Sequence, residues 1–182
     1  MSLALMVACG TAPAHPRPDA DVRAELELAE RAELARDHLT ARRHYDAAIA
    51  KAIARADRAA ERFVRRELAE TLLTWGELGE ARAQLEAVVA IAPRDAASWH
   101  DLGIVRHGAG DVSGAVVALS TAARLAPEDP RPRIALAALY WRHGRHAEAR
   151  RAYEELLRLE LPPRVREKVR WALQRLQAPS PP

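Results

Sequence analysis

The sequence has no asparagine, a single cysteine (Cys9) and few aromatic side chains, which make up 4% of its 182 residues. β-Sandwiches and barrels draw on β-branched and aromatic strands joined by Gly and Asn turns, so this composition disfavours them. One cysteine excludes an intramolecular disulfide and a cysteine zinc cluster. No apolar run approaches the roughly 18–20 residues that a membrane-spanning helix requires.

Alanine is abundant instead: it occupies 40 positions, and hydrophobic residues together make up 49% of the chain. A chain rich in alanine and leucine can bury a core through helices, which argues against disorder. The length gives room for one domain of moderate size. The expected fold class is all-α.

Charge is unevenly distributed, although the formal net charge is only +3. Residues 1–130 hold 16 basic and 20 acidic side chains, whereas residues 131–182 hold 12 and 5. Arginine on solvated helix faces is the simpler interpretation. The alternative is a basic C-terminal end that attracts an acidic partner or an anionic surface.

A period of 34 residues runs through most of the chain. The recurring positions hold Gly76, Gly110 and Gly144, then Ala81, Ala115 and Ala149, and also Leu68, Leu102 and Leu136. Many helices end at a residue in the left-handed backbone conformation, and that residue is usually glycine. Pro93 and Pro127 stop the second helix of their units. Each period therefore predicts two antiparallel helices whose apolar face is covered only by the next unit.

The best-defined unit, 96–129, carries Trp99, Leu102, Gly103, Ala115, Leu119, Ala122 and Pro127 in register. These residues resemble the tetratricopeptide repeat, whose pattern is W-x2-L-G-x2-Y with later Ala, Phe and Pro. The unit departs from the pattern at Arg106, where the family has tyrosine, and the next unit has Arg133 at the tryptophan position. The resemblance implies an all-α, right-handed α-solenoid of helix-turn-helix units with a C-terminal capping helix.

The resemblance divides residues 21–177 into units of about 22–61, 62–95, 96–129 and 130–163 and a capping helix at 164–177, with a disordered tail at 178–182. In the first unit, Arg36 stands at the position of the turn glycine. The step to the second unit is 40 residues, which predicts lengthened helices between about Thr40 and Trp75. Gly103 and Ala115 are expected where neighbouring helices come close.

Residues 1–9, MSLALMVAC, are uncharged and apolar, and a Pro- and Ala-rich stretch follows them. This order resembles the lipobox of bacterial lipoproteins, which are cut before a cysteine that then carries acyl chains. It implies that Cys9 is lipidated, that residues 1–20 form a disordered signal and tether segment, and that the protein is anchored in the bacterial cell envelope, facing the periplasm. No Lys or Arg precedes Cys9, and the alternative is a cytoplasmic N-terminus with an inert thiol.

Nothing in the sequence is typical of an enzyme: there is no G-x-S-x-G, no phosphate-binding glycine loop and no cysteine-histidine pair. Neither His143 with His146 nor His100 with His107 has the four-residue spacing and third ligand of a helical zinc site. A nucleic-acid site would need aromatic side chains among its basic residues, and the C-terminal arginines meet that requirement only loosely. We therefore expect no catalytic residue, cofactor, metal site or small-molecule substrate, and nucleic acid is disfavoured as a partner.

In tetratricopeptide repeats, the first helix of every unit lines a concave groove. The resemblance implies a groove made here of Phe63, Arg66, Glu70, Leu73, His100, Asp101, Ile104, His107, Ala138, Trp141 and Arg142. Such a mixture of apolar and charged groups suits a peptide groove, but any exposed helix face has one. Relatives that bind chaperone C-termini grip the terminal carboxylate with lysines and asparagines. Here Glu70 and Asp101 occupy the two asparagine positions, where they would repel that group.

The sequence thus predicts a non-enzymatic scaffold or adaptor that binds another protein or peptide in its groove and, as an envelope lipoprotein, assists assembly of a protein complex. The alternative is a soluble cytoplasmic regulator whose basic C-terminal end binds nucleic acid or an acidic protein. Trp141 is predicted on the groove side of its helix and at least partly exposed, while Tyr140 is predicted to be core. The alternative is that Trp141 packs against the capping helix near Trp171.

Overall fold

The computed structural model describes residues 18–177, which contain helices and connecting turns but no strand. The helices are α1 (Ala20–Leu34), α2 (His38–Ala54), α3 (Arg58–Trp75), α4 (Leu78–Ile91), α5 (Ala96–Gly108), α6 (Val112–Leu125), α7 (Pro130–Arg142), α8 (His146–Leu156) and α9 (Pro163–Gln177). In chain order, the first eight helices form four successive pairs, although α3 begins at Arg58, within the predicted first unit of 22–61. The all-α class built of helix-turn-helix units is confirmed.

The 40-residue step from the first repeat unit to the second is explained by longer helices. Helices α2 and α3 contain 17 and 18 residues, whereas α5 and α6 contain 13 and 14. The lengthened helices predicted between Thr40 and Trp75 are therefore present.

The turn within each pair has one repeated backbone geometry. In the third pair, the amide of Gly110, at φ +83°, donates to the carbonyl of His107, and the next amide, of Asp111, donates to that of Arg106. The same two hydrogen bonds form at Gly76 and Gly144. Arg36 (φ 59°), which stands at the glycine position of the first unit, takes the left-handed conformation as well. The turn is thus retained where its preferred residue is missing.

Aspartate begins most of the helices, in a chain that has no asparagine. Six aspartates directly precede a helix and accept a hydrogen bond from a backbone amide in its first turn: Asp19, Asp37, Asp57, Asp95, Asp111 and Asp129. Such a cap satisfies one of the amides that a helix N-terminus leaves free. Helices α4 and α8 begin without a side-chain cap, after Glu77 and Arg145.

The described residues divide into two compact units, 18–64 and 65–177, and the boundary lies inside α3. In the first unit, α1 and α2 pack through buried alanines such as Ala29 and Ala48, which allow a close approach.

A half-buried carboxylate joins α1 to α2 in this first unit. Glu25 on α1 lies 2.6 Å from the Lys51 ammonium and 2.7 Å from Nδ1 of His44, both on α2. Hydrogen bonds from Lys51 and then His44 hold the pKa of Glu25 below its usual value, against the opposing effect of burial. The ionised form of Glu25 therefore stabilises this helix pair.

In the second compact unit, α5 and α6 pack closely at Gly103. A Cβ on Gly103 would lie 2.6 Å from Cγ of Leu119 and 3.2 Å from its amide nitrogen. Ala115 is fully buried and belongs to a core cluster with Leu119, Leu136 and others. The expectation that small residues mark close helix packing is confirmed at both positions.

Helix α9 is the last described helix of the second compact unit. A core cluster joins it to α7 and α8 and contains Ala137, Tyr153, Leu156, Leu161, Val169, Ala172 and Leu173. The guanidinium of Arg166 donates to the carbonyls of Leu157 and Leu159, where α8 ends. Helix α9 is thus the capping helix that the sequence predicted.

Candidate functional site

A cavity of about 240 Å³ opens between α3, α4 and α5, and we call it the α3–α5 cavity. Its lining residues are Arg66, Ala69, Glu70, Leu73, Leu85, His100, Asp101 and Ile104. The α3 residues follow a spacing of three, four and seven, which places them on one helix face. Six of the eight are predicted groove residues, namely Arg66, Glu70, Leu73, His100, Asp101 and Ile104. The structure therefore brings together the central part of the predicted groove.

The floor of the cavity is apolar. Ala69 and Leu85 are buried, Leu73 is half-buried, and Ile104 is 46% exposed at the mouth. Small-molecule sites usually enclose about 300–1,000 Å³, so this cavity is smaller than a site for a cofactor. Its size and lining suit one or two apolar amino-acid side chains.

The two carboxylates beside this floor differ in their ion pairs. Asp101 lies 3.5 Å from the Arg66 guanidinium and 3.3 Å from Nδ1 of His100, so its charge is offset by neighbours. Glu70 is exposed and forms no ion pair with any residue that the structure describes. The cavity thus presents one compensated carboxylate and one available carboxylate.

Two histidines meet farther along α5. Nε2 of His107 lies 3.4 Å from Nε2 of His143, and the two rings are arranged edge to face. Burial, followed by the nearby charges of Arg142 and His143, lowers the pKa of His107. His107 is therefore held toward its neutral form. Ala138 and Arg142, the groove residues predicted on α7, are exposed.

Trp141 occupies the second of its two expected placements. Its ring is half-buried, lies edge to face with Tyr153 at 6.1 Å and stacks on Trp171 of α9 at 5.9 Å between ring centroids. Tyr140 is half-buried rather than core, with the Arg145 guanidinium 4.5 Å above its ring. Trp141 therefore packs with the capping helix, which corrects the expectation that it faces the groove while Tyr140 fills the core.

Phe63 belongs to the other compact unit. It is 44% exposed and lines a separate cavity of about 260 Å³ with Pro18, Arg23, Leu26, Glu27 and Glu30. The predicted groove residues are thus distributed over the first compact unit, the α3–α5 cavity, and the ends of α5 and α7.

Other kinds of site find little support in residues 18–177. No three His, Cys, Asp or Glu side chains in that range come close enough to hold a metal ion. None of its helices combines the length and apolarity needed to cross a membrane. Cys9, the predicted lipidation site, lies outside the described residues.

Sequence reasoning missed two kinds of contact. Leu85 and Ala69 complete the cavity floor, but their repeat columns assigned them only to the core. His143 meets His107 although 36 residues separate them, two more than the repeat period. A search of the columns at spacings near 34 would have found this pair.

Comparison with known proteins supports the repeat assignment. A family model of the tetratricopeptide repeat matches residues 106–170. No curated protein matches the chain significantly.

Similar solved structures include a crystal structure of MamA, with 17% identity and a TM-score of 0.68 over 86% of this chain and 80% of that one. The type III secretion chaperone SycD of Yersinia enterocolitica, in complex with a peptide of the translocator YopD, has 20% identity and a TM-score of 0.58 over 62% and 89%. The first tetratricopeptide-repeat domain of Spaghetti (RPAP3), bound to the HSP90 peptide SRMEEVD, has 17% identity and a TM-score of 0.56 over 64% and 94%. Together with the helix pairs and their repeated turns, these similarities show that the chain has the fold of tetratricopeptide-repeat proteins, and the family model places such repeats within residues 106–170.

Proposed function

We propose that this chain is a non-enzymatic adaptor that binds a peptide segment of another protein in the α3–α5 cavity. The observation that carries the proposal is the cavity itself, where six predicted groove residues surround an apolar floor. An apolar pocket with a few polar groups around it is the usual form of a binding site. Two proteins of the same fold, SycD and Spaghetti, hold peptides in their solved structures, which supports this use of the fold.

The cavity chemistry favours a particular kind of segment. An aliphatic side chain of the peptide would enter between Leu73 and Ile104 and contact Leu85. A Lys or Arg beside it would pair with Glu70, whereas a terminal carboxylate would be repelled there. The expected ligand is an internal apolar segment with a neighbouring cation.

Site-specific photo-crosslinking tests the location. A photoreactive phenylalanine analogue replaces Ile104 at the cavity mouth or, as the control, Val117 on α6, which is 59% exposed. We expect a defined adduct from position 104 and none from position 117, in the native host. Adducts of the same protein at both positions would place binding elsewhere.

We also propose that the adaptor is anchored in the bacterial envelope through acylated Cys9 and that it assists assembly of a protein complex there. The support is the order of the N-terminal sequence, which resembles a lipobox. Expressed from its complete gene, the protein should enter the membrane fraction, and Cys9→Ser should release it or leave it unprocessed. An unaltered protein found wholly in the cytoplasm without lipid would instead favour the cytoplasmic regulator.

A further inference from the structure

One face of α9 combines basic side chains with an exposed tryptophan. Arg164, Lys168, Trp171 and Arg175 are all exposed, and Trp171 is 58% exposed. Their spacing of four, seven and eleven residues confines them to a sector of about 60° that extends about 16 Å along the helix. We call these four residues the α9 stripe. The opposite side of α9 packs on the core through Val169 and Leu173.

The three cations of the α9 stripe are available. Within the described residues, none of them forms a salt bridge, and the same holds for Arg170 on the adjoining face. Glu167 is the acidic side chain of α9, and it also forms no ion pair in that part of the chain. By contrast, Arg106 in the same compact unit forms a salt bridge with Glu86, at 2.9 Å. The stripe is therefore a concentrated positive surface.

Trp171 is held in a fixed place within this surface. One face of its indole stacks on Trp141, and the Arg175 guanidinium lies 5.9 Å from its ring centroid. Leaving the apolar surface of a large ring in water costs free energy. A partner that covers the ring and neutralises the cations would recover that free energy.

We propose that the α9 stripe docks the protein on a membrane surface that contains anionic phospholipids. Lys and Arg along one helix face pair with lipid phosphates, while an indole enters the headgroup region, where tryptophan is favoured. The three cations are spaced along one face of a single helix, which suits contact with an anionic layer. The stripe would orient the protein on that surface, whether or not the α3–α5 cavity binds a peptide.

The aromatic arrangement fits a bilayer better than a single-stranded nucleic acid. Nucleic acids bind such surfaces by stacking bases on exposed aromatic faces. One face of Trp171 is covered by Trp141, which leaves a single face for a base, and the α9 stripe holds no second aromatic side chain on which the next base could stack. A lipid headgroup layer needs only the edge and outer part of the indole.

Vesicle flotation tests the proposal. The full chain carries Cys9→Ser so that no acyl chain contributes. We mix it with phosphatidylcholine vesicles with or without 30% phosphatidylglycerol, a fraction chosen for the assay, and compare it with Lys168→Gln/Arg175→Gln. The matched control is Arg94→Gln/Arg124→Gln, which removes the same charge from two exposed arginines outside α9.

We expect binding to the anionic vesicles alone, weakened at least about tenfold by the α9 substitutions and little by the control, since each cation near an anionic surface contributes on this scale. Trp171→Phe should retain more of the binding than Trp171→Ala. Three results would overturn the proposal: no vesicle binding, equal losses in both double variants, or tight binding of a single-stranded oligonucleotide without vesicle binding. Circular dichroism of every variant confirms that the helices remain folded.

Discussion

Trp99 and Arg133 occupy the same position in successive repeats, and each donates a side-chain hydrogen bond to the backbone carbonyl of a proline. The indole N–H of Trp99 donates to the carbonyl of Pro93 at 3.0 Å, and the guanidinium of Arg133 donates to that of Pro127 at 2.5 Å. In each case the acceptor is the proline six residues earlier, beyond the end of the preceding second helix. An arginine can therefore replace the tryptophan of the pattern, because the contact requires a long side chain ending in a donor.

This equivalence predicts that Arg133→Trp keeps the stability of the protein. Arg133→Ala should lower the free energy of unfolding by about 0.5–1.5 kcal/mol, the usual contribution of one hydrogen bond. Urea unfolding of both variants checks the expectation. Equal losses from Trp and Ala would show that the shared contact has no energetic role.

Gly103 is expected to resist enlargement although it lies within a helix. Alanine favours helices over glycine by about 1 kcal/mol, but a Cβ here would overlap Leu119. Gly103→Ala should therefore lower stability by about 1–2 kcal/mol. Gly79 on α4 has no atom within 4 Å of its would-be Cβ, so Gly79→Ala should raise stability by about 0.5–1 kcal/mol.

A double-mutant cycle separates the cause. If the clash with Leu119 is responsible, Gly103→Ala should cost much less in a Leu119→Ala background. An unchanged cost in that background would contradict the contact.

The sequence reveals the helix pairs because each recurring residue has a local physical role, such as Gly110 in its turn or Gly103 at a close approach. It does not decide the contacts at the end of the repeats, where packing of Trp141 near Trp171 was only the alternative to a place in the groove. Trp141 meets Trp171 because α9 replaces the next repeat, so no periodic column relates the two residues. The cavity was only partly foreseen, since Leu85 reaches its floor from a second helix.

Two substitutions at the left-handed turns are expected to change stability in opposite directions. Arg36 takes a positive φ that costs a non-glycine residue about 1–2 kcal/mol. Arg36→Gly should therefore raise the melting temperature. Gly110→Ala should lower it, although its would-be Cβ meets no neighbouring atom, because the backbone conformation alone is strained. Thermal denaturation followed by circular dichroism measures both, and a loss from Arg36→Gly would contradict the turn assignment.

Glu25 predicts a loss of stability in acid. Lys51 and His44 lower the pKa of Glu25 in the folded protein. Its contribution is therefore present above the pKa of the unfolded chain and disappears as the pH falls through the lower folded pKa. Glu25→Gln should destabilise the protein near neutral pH and make its melting temperature less sensitive to acid. Glu27→Gln, at an exposed site on the same helix, is the control and should leave the pH profile unchanged.

Binding of a peptide segment in the α3–α5 cavity can be measured by one affinity comparison. The partner identified by crosslinking is purified, and its Kd is measured by calorimetry for Ile104→Asp and for Val117→Asp, two exposed aliphatic positions in the same unit. We expect at least about a tenfold loss of affinity for Ile104→Asp, because a charge enters the contact region, and little change for Val117→Asp. Equal affinities for the two variants, with both folded, would contradict it.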